Sequence, residues 1–340
     1  MRVGKLTNEE LSELVLSRLP KLSKRTLIGA NIGADCAWLD LQDKLLVTSS
    51  DPITAGGMQS GALSIHVSCN DIAACGVRPS SILTVLIAPP SATRDDITYI
   101  VDSASQTASG LSVDIVGGHT EVSDSVNRFI VVTTAFGIVD HSMPIPSGKA
   151  EIGDHLIMTK TCGIEGTWIA AMEHEEKLVG KVSDELLSEA KKYIEKISVV
   201  EDGVTGASLP SKTGLKNEQG YMLSATHLMH DVTEGGILGA AYEMADYSNI
   251  GVHIDMRKIP ITDVTKAICE NMHLNPFRLI SSGSLLMATE CPDETIAILA
   301  SKGITATDIG VFTSSSFTLI DNAGQECPLD PPQADELYKM

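Results

Sequence analysis

The sequence lacks the marks of a secreted, membrane-spanning or nucleic-acid-binding protein. It has no charged and then apolar leader, and no run of about eighteen apolar residues that would cross a bilayer. Lysine and arginine together number 25, against 44 aspartates and glutamates, and the formal net charge is −19. Such a surface repels nucleic-acid phosphates and acidic lipids. We therefore expect a cytoplasmic protein that contacts neither nucleic acid nor membrane.

Disulfide, zinc and common nucleotide motifs are also lacking. The seven cysteines are an odd number and form no C-x-x-C pair, which favours reduced, mostly buried thiols. Neither G-x-G-x-x-G nor G-x-x-x-x-G-K-[ST] occurs, which excludes the usual dinucleotide and P-loop sites. Any nucleotide must therefore be bound in another way.

The chain is long enough for two domains. Its 340 residues exceed the usual size of one compact core, and the segment 140–153 carries the prolines and glycines of a linker. We place the boundary near residue 150, which gives domains at 1–150 and 151–340. Strands and helices recur with several strands adjacent in sequence, which predicts an α+β fold rather than a doubly wound parallel sheet.

The most informative stretch covers residues 64–79 and reads S-I-H-V-S-C-N-D-I-A-A-C-G-V-R-P. Its apolar positions recur at helical spacing, and Gly76 and Pro79 mark the end of a mostly buried helix. This helix carries an acid, Asp71. Burying a carboxylate without a cation or several donors costs several kcal/mol, so we expect a compensating group such as a metal ion.

Caps and apolar runs predict the neighbouring elements. Thr7 opens a capped helix over 7–19. A strand over 44–51 is expected to end at a proline turn, and a short strand over 114–116 is expected to end at a glycine turn. Residues 203–220 are predicted to be a long irregular loop.

Aspartates recur where predicted strands begin or end. Asp35 precedes one apolar run, Asp51 follows another, and Asp231 precedes Gly235 and Gly236 at a helix start. Glycines at a helix start can aim free N–H groups at an anion, which would suit a phosphate. The alternative is that these aspartates are unrelated turn residues, the usual role of an isolated aspartate.

Five segments in one order resemble the superfamily of aminoimidazole ribonucleotide synthase. That superfamily includes selenophosphate synthetase, thiamine-monophosphate kinase and the hydrogenase-maturation factor HypE. The resemblance covers roughly residues 4 to 320, and the combination is specific where each motif alone is weak. The segments are G-A-D-C-A (33–37), T-S-S-D-P (48–52), N-D-I-A-A-C-G-V-R-P (70–79), G-G-H-T (117–120) and D-V-T-E-G-G (231–236).

The resemblance implies two α/β domains, with the N-terminal sheets of two subunits closing a dimeric barrel and ATP in the cleft between subunits. It implies metal and phosphate binding by Asp35, Asp51, Asp71 and Asp231. It implies nucleotide contacts near Asn70, Gly117, Gly118, His119 and Thr120. It also places Lys5 near the phosphates, although a solvated terminal lysine is the simpler interpretation. Two Mg²⁺ ions would need several acids of this kind.

The histidines support weaker predictions. A glycine pair followed by histidine is as often a turn with a structural imidazole as a phosphate donor, so His119 fits both roles. His66 and His230 flank acidic segments, and we expect them to satisfy hydrogen bonds in the core or beside the site.

Three departures from the family pattern bear on the reaction. The first motif has one acid, Asp35, after Ala34, where relatives often have two acids. No cysteine precedes Cys36, whereas selenophosphate synthetases carry a reactive residue near the N-terminus. The last cysteine, Cys327, is followed by Pro328 and a further dozen residues, which argues against carbamoyl chemistry on a C-terminal thiolate. The chain resembles HypE without its acceptor.

The leading hypothesis is an ATP- and Mg²⁺-dependent enzyme that phosphorylates an oxygen of a small molecule and activates an amide, carbonyl or phosphate-bearing substrate. Asp71, Asp231 and Lys5 would act in catalysis. The alternative is a non-catalytic ATP-binding maturation or regulatory protein. Expected partners are a small-molecule substrate, a second copy of the chain and, in the alternative, another maturation protein.

Overall fold

Two β-sheets, one from each half of the chain, form the frame of the fold. The structure, a computed structural model, describes residues 6–20, 23–32, 35–54 and 56–340. Helices lie against both sheets, so the fold is mixed α/β with two sheet-containing parts. Within those described ranges, the helices are all too short or too polar to cross a membrane.

The N-terminal sheet has six strands in the order β1-β2-β3-β6-β4-β5. Its strands are β1 (Thr26–Ile28), β2 (Ala37–Asp40), β3 (Leu45–Ile53), β4 (Pro79–Ala88), β5 (Asp114–Val122) and β6 (Ile130–Val139). β4 and β5 are parallel, and the other neighbours are antiparallel. The accompanying helices are α1 (Asn8–Leu14), α2 (Ser60–Ala74) and α3 (Arg94–Gly110).

The C-terminal sheet has seven strands in the order β13-β12-β9-β11-β7-β10-β8. Its strands are β7 (His155–Thr159), β8 (Thr226–Asp231), β9 (Gly251–Asp255), β10 (Leu285–Thr289), β11 (Ala306–Thr313), β12 (Phe317–Ile320) and β13 (Glu326–Pro328). Its helices are α4 (Ile164–Glu173), α5 (Glu175–Leu178), α6 (Asp184–Lys191), α7 (Val200–Gly206), α8 (Gly236–Ser248), α9 (Asp263–Met272) and α10 (Pro292–Ser301). Short 3-10 helices occur at Leu16–Arg18, Gly57–Gln59, Tyr193–Lys196, Met256–Lys258 and Glu336–Lys339.

The helix α2 joins the two halves. It packs on β3 and β6 of the first sheet and on α7 and β8 of the second half. Ile65 and Ile72 of α2 are fully buried in one hydrophobic core with Val199 and Met287. The prediction of a mostly buried helix in this stretch is confirmed, and the N-terminal sheet therefore has a fixed position against β8.

Two strands run further than predicted. β3 continues through Pro52, because β6 pairs with it from Leu45 to Ile53. On its other edge β3 pairs with β2 only as far as Thr48, so the edge at Pro52 has no described partner strand. A proline, which lacks the N–H, is accommodated on such a side. β5 continues through Gly117 and Gly118, because it pairs with β4 over its whole length.

Two helical predictions also need correction. The predicted helix over 7–19 has its capping box at Thr7, but α1 ends at Leu14 and a 3-10 turn follows. The predicted loop over 203–220 begins inside α7. Gly203 is there because a Cβ would lie 2.0 Å from the carbonyl oxygen of Ala73, so α7 can approach α2 closely only with glycine.

Candidate functional site

The helix α2 and the strand β3 bring two of the predicted aspartates together. Alternate residues of a strand point to the same face, so Ser49 and Asp51 both face α2. The Ser49 hydroxyl donates to Asp71 Oδ2 at 2.6 Å and to Asp51 Oδ2 at 3.3 Å. Asp71 is 7% exposed. A single hydroxyl therefore links two carboxylates from separate elements.

The end of β8 and the segment before β2 supply the other two. Asp231 is 2% exposed and is paired with Leu285 of β10. His230 Nδ1 lies 3.1 Å from Asp35 Oδ2, and its Nε2 lies 3.3 Å from Glu243 Oε2 of α8. Donor atoms of Asp35, His230 and Asp231 lie within 4.8 Å of one another. The acidic cluster thus draws on both halves of the chain.

Electrostatics in this cluster disfavour another negative charge. Burial raises the pKa of Asp71 well above its usual range, and repulsion from Asp231, the hydrogen bond with Asp51 and the charges of Asp51 and Asp35 raise it further. A carboxyl group in such surroundings gains most from a cation. The cluster therefore has the electrostatics of a cation site.

His230 stands between two carboxylates of the same cluster. Burial by itself would lower the pKa of His230, but the carboxylates of Asp35 and Glu243 outweigh burial and raise that pKa well above its usual value. The sequence indicated only a supporting role for this histidine. His230 lies on β8, Glu243 on α8, and Asp35 in the segment before β2. Tertiary packing alone brings the histidine between these two acids.

The donor set fits a divalent cation. Mg²⁺ prefers carboxylate oxygens, phosphate oxygens and water. Asp35, Asp51, Asp71 and Asp231 present such oxygens around one region, with more acids than nearby cations. The residues present therefore fit the metal that the family resemblance implies.

Asn70 has a different environment from its neighbour Asp71. It is fully buried; its Nδ2 donates to the carbonyl oxygen of Ile197 at 2.9 Å, and its Oδ1 accepts from the N–H of Val199 at 2.8 Å. Both of these hydrogen bonds are with the segment before α7 rather than with the aspartates. Contact between Asn70 and a nucleotide stays a prediction.

Lys160 holds the same segment from the other side. Its Nζ donates to the carbonyl oxygens of Ser198 at 2.7 Å and Gly283 at 2.9 Å, and lies 3.0 Å from Asp202 Oδ1. Burial lowers the pKa of Lys160, and the Asp202 charge opposes that shift. Asn70 therefore joins α2 to the segment before α7, and Lys160 holds that segment within the second half.

The glycine turn after β8 is already in contact with a carboxylate. The N–H of Gly235 donates to Asp335 Oδ2 at 2.6 Å, while Asp335 Oδ1 accepts from Ile280 and Leu337. A Cβ at Gly236 would lie 2.7 Å from the Phe277 carbonyl oxygen. The expectation of a free N–H at Gly235 is therefore wrong for this conformation, because a side chain from near the C-terminus occupies it.

The G-G-H-T segment lies on the edge strand β5. Every residue of β5 is exposed, and His119 Nε2 contacts Glu121 Oε2 at 3.1 Å. Gly118 is required because a Cβ would lie 1.7 Å from the Thr84 carbonyl oxygen. Gly117, Gly118, His119 and Thr120 line a groove of about 240 Å³ against α3 and β4. Gly118 lies in the same row of the sheet as Asp51, with β6 and β4 between them: Asp51 is opposite Thr133, Thr133 is opposite Thr84, and Thr84 is opposite Gly118.

Some predicted site residues are not among the residues that the structure describes, and the sequence did not predict some residues that contact the site. Lys5 and the first two residues of the G-A-D-C-A segment are not among the described residues. Ser49 could have been found from its position two residues before Asp51 on a strand. Glu243 and Asp335 carry no local signal, because they reach the site only through folding. His66, fully inside α2, has its pKa lowered to about 4 by burial and by Lys160.

Two family models match this chain. The model of AIR synthase related protein, N-terminal domain, matches residues 33–139, and that of AIR synthase related protein, C-terminal domain, matches residues 151–322. Together they cover most of the sequence. The chain belongs to the AIR synthase related protein family, and the resemblance seen in the sequence is confirmed.

Three relatives illustrate the range of that family. A Methanocaldococcus jannaschii protein named for hydrogenase expression and formation is 30% identical over 295 residues, which are 85% of this chain and 81% of that protein. Carbamoyl dehydratase HypE of Bradyrhizobium diazoefficiens is 26% identical over 290 residues, or 82% of this chain and 77% of that one. A selenide, water dikinase of Bdellovibrio bacteriovorus is 25% identical over 263 residues, 76% of this chain and 69% of that enzyme.

Solved structures share the fold. E. coli HypE has a TM-score of 0.71 at 22% identity and covers 88% of this chain and 91% of its own. The structure of a HypE–HypF complex has a TM-score of 0.70 at 22% identity, and the match covers 95% of this chain and 99% of that chain. A HypE in complex with ATP has a TM-score of 0.66 at 19% identity, and the match covers 98% of this chain and 97% of that chain. At these identities the likeness shows the fold alone.

Proposed function

We propose that this protein uses ATP and Mg²⁺ to transfer a phosphoryl group to an oxygen of a small molecule. The acceptor would be an amide, a carbonyl or a phosphate-bearing compound. The observation that carries the proposal is the convergence of four aspartates from separate elements. They are Asp35 before β2, Asp51 on β3, Asp71 on α2 and Asp231 on β8. Isolated turn aspartates would be solvated separately, whereas Asp71 and Asp231 are buried beside the other two.

Each part of the site has a role in this proposal. The four aspartates would hold Mg²⁺, which when bound neutralises phosphate charge during phosphoryl transfer. Gly117, Gly118, His119 and Thr120 would line the nucleotide groove. Lys5 would neutralise phosphate charge. Asn70 would hold Asp71 in position, and the N–H groups of Gly235 and Gly236 would donate to a phosphate if Asp335 moves away.

The comparisons support the reaction class in general terms. Relatives named carbamoyl dehydratase and selenide, water dikinase span most of this chain, and a HypE of the same fold binds ATP. The HypE–HypF complex supports a further proposal, that another maturation protein is a partner of this chain. Fold likeness does not choose the acceptor.

Calorimetry followed by phosphate release tests the proposal. We expect ATP to bind in the presence of Mg²⁺, and much more weakly with the metal chelated, because the buried carboxylates repel a bare triphosphate. Phosphate or ADP release should then rise with one class of candidate acceptor. Mg²⁺-dependent binding without release under all conditions would favour the non-catalytic maturation protein instead.

The outer face of the N-terminal sheet supports a homodimer. The inner face, represented by Val47, Ile82 and Ala135, is fully buried, while the outer side chains stay partly or largely exposed. Those outer apolar residues are Leu46, Leu83, Val85, Val132, Phe136 and Ile138. An apolar sheet face left open in a monomer usually marks a protein interface. We therefore propose that two such sheets close into a barrel.

Ile138→Asp should separate the two subunits. Ile138 is 47% exposed on this outer face, and a carboxylate buried in the interface would cost several kcal/mol. Light scattering should give twice the 36.1 kDa of one chain for the wild type and one chain for the variant. Ile152→Asp is the matched control, because Ile152 is exposed outside both sheets. A wild-type monomer, or an unchanged mass in Ile138→Asp, would contradict the barrel.

A further inference from the structure

His230 brings a nitrogen donor into an otherwise oxygen-rich cluster. Its Nδ1 faces Asp35 Oδ2 at 3.1 Å, and Asp231 follows it directly in the chain. Magnesium takes oxygen ligands, whereas imidazole suits first-row transition ions. The donor set therefore differs from that of a site built for Mg²⁺ alone.

The spacing of the three donors suits one ion. Metal–ligand bonds of about 2.0–2.2 Å place neighbouring donors about 3–4 Å apart. Donor atoms of Asp35, His230 and Asp231 all lie within 4.8 Å of one another. Small rotations of these side chains would bring all three to bonding distance of one ion.

Glu243 supplies a second, separate observation. It stands on α8, outside the three donors, and its Oε2 lies 3.3 Å from His230 Nε2. A metal-binding histidine almost always donates its other N–H to a carboxylate or carbonyl, which fixes the tautomer. With Nε2 held by Glu243, the ring presents Nδ1 to the cluster.

Two other described histidines also pair with an aspartate but lack this combination. His155 Nδ1 lies 2.7 Å from Asp308 and His227 Nδ1 lies 2.9 Å from Asp154. Across the part of the chain that the structure describes, Asp35, His230 and Asp231 are the one group of three donors close enough for a shared metal. A histidine–aspartate pair alone is therefore not what distinguishes His230.

We propose that Asp35, His230 and Asp231 form a mixed nitrogen–oxygen site that binds a divalent transition ion such as Mn²⁺ or Co²⁺, with Glu243 as the positioning residue. This rests on the proposed function and refines it: of the four aspartates assigned to Mg²⁺ there, Asp35 and Asp231 would instead hold a transition ion, beside Asp71 and Asp51. The latter two keep the oxygen-only character that suits Mg²⁺. The chain would then hold two chemically different metal positions.

Mn²⁺ alone, added to the full-length protein without nucleotide, tests the site. Electron paramagnetic resonance of free Mn²⁺ gives the affinity, and pulsed measurements detect a nitrogen nucleus coupled to bound Mn²⁺. We expect nitrogen coupling in the wild type and its loss in His230→Asn, with Mn²⁺ affinity reduced at least about tenfold. Glu243→Gln should keep the nitrogen coupling and weaken Mn²⁺ about tenfold or more, because the ring is less well oriented.

His155→Asn is the matched control and should behave as wild type, since it also removes a histidine paired with an aspartate. Circular dichroism of each variant checks that the fold is retained. Mg²⁺ affinity, measured by competition, should change much less in His230→Asn than Mn²⁺ affinity does. Two results would overturn the mixed site: bound Mn²⁺ that shows no nitrogen coupling, or a His230→Asn variant that loses Mn²⁺ and Mg²⁺ affinity equally.

The two proposals fail separately. ATP turnover abolished by loss of Asp71, together with Mn²⁺ that shows no nitrogen coupling, would overturn the mixed site and leave the enzyme proposal standing. Nitrogen-coupled Mn²⁺ in a protein that never releases phosphate would support the mixed site and count against the enzyme.

Discussion

Asp71→Asn is expected to abolish ATP turnover while making the protein more stable. Burial and the neighbouring acids raise the pKa of Asp71, so its charged form costs folding free energy at neutral pH. Asparagine has nearly the same shape and can still accept from Ser49, without the charge. Removing one group that stabilises developing charge in a transition state costs about 10²–10³ in rate, and we expect a loss at least this large here. Thermal unfolding and phosphate release on the same samples should therefore move in opposite directions.

Mg²⁺ provides a second readout of the same variant. In the wild type, Mg²⁺ should raise the melting temperature, because a ligand that binds only the folded state stabilises it and here also relieves the repulsion among carboxylates. In Asp71→Asn that increase should be smaller. Asp231→Asn should likewise lose turnover.

Asp154→Asn is the control for a buried carboxyl outside the cluster. Asp154 is 3% exposed and accepts from His227 at 2.9 Å, so its replacement should lower stability and leave turnover unchanged. If Asp71→Asn retains turnover, or is as destabilised as Asp154→Asn, the assignment of Asp71 to a cation site is wrong.

Lys160→Met is expected to be the most destabilising single change away from the cluster. The lysine compensates Asp202, which is 2% exposed, and holds two backbone carbonyls. Breaking a buried ion pair on one side typically costs about 3–5 kcal/mol. For a chain of this size that corresponds to a fall in melting temperature of roughly 4–7 °C. Differential scanning calorimetry would measure it.

The companion variants separate charge from packing. Adding Asp202→Asn to Lys160→Met should recover much of the loss, because the uncompensated charge is then gone. Lys191→Met breaks a surface pair with Glu175, 2.7 Å apart with both side chains more than a third exposed, and should cost less than about 1 kcal/mol. Equal losses in Lys160→Met and Lys191→Met would show that Asp202 is well solvated, contrary to the structure.

Local signals predicted elements well where the chain decides its own conformation. The buried helix around Asp71 follows from helical spacing and a terminal glycine, and the cap at Thr7 follows from its pairing with Glu10. Two glycines led to wrong predictions, because both indicated irregular structure in the sequence but are required by tertiary contacts. Gly118 lets β5 approach the Thr84 carbonyl oxygen of β4, and Gly203 lets α7 pack closely on α2.

The sequence by itself determined the family, the two-sheet class of fold and the four candidate aspartates, since these depend on residue order and local periodicity. Only the tertiary structure decided that Ser49 links Asp51 to Asp71, that His230 stands between Asp35 and Glu243, and that Asp335 covers Gly235. Those contacts join residues distant in sequence, and a pairing across so many positions leaves no mark on local composition. It exists only once α2 is packed between the two sheets.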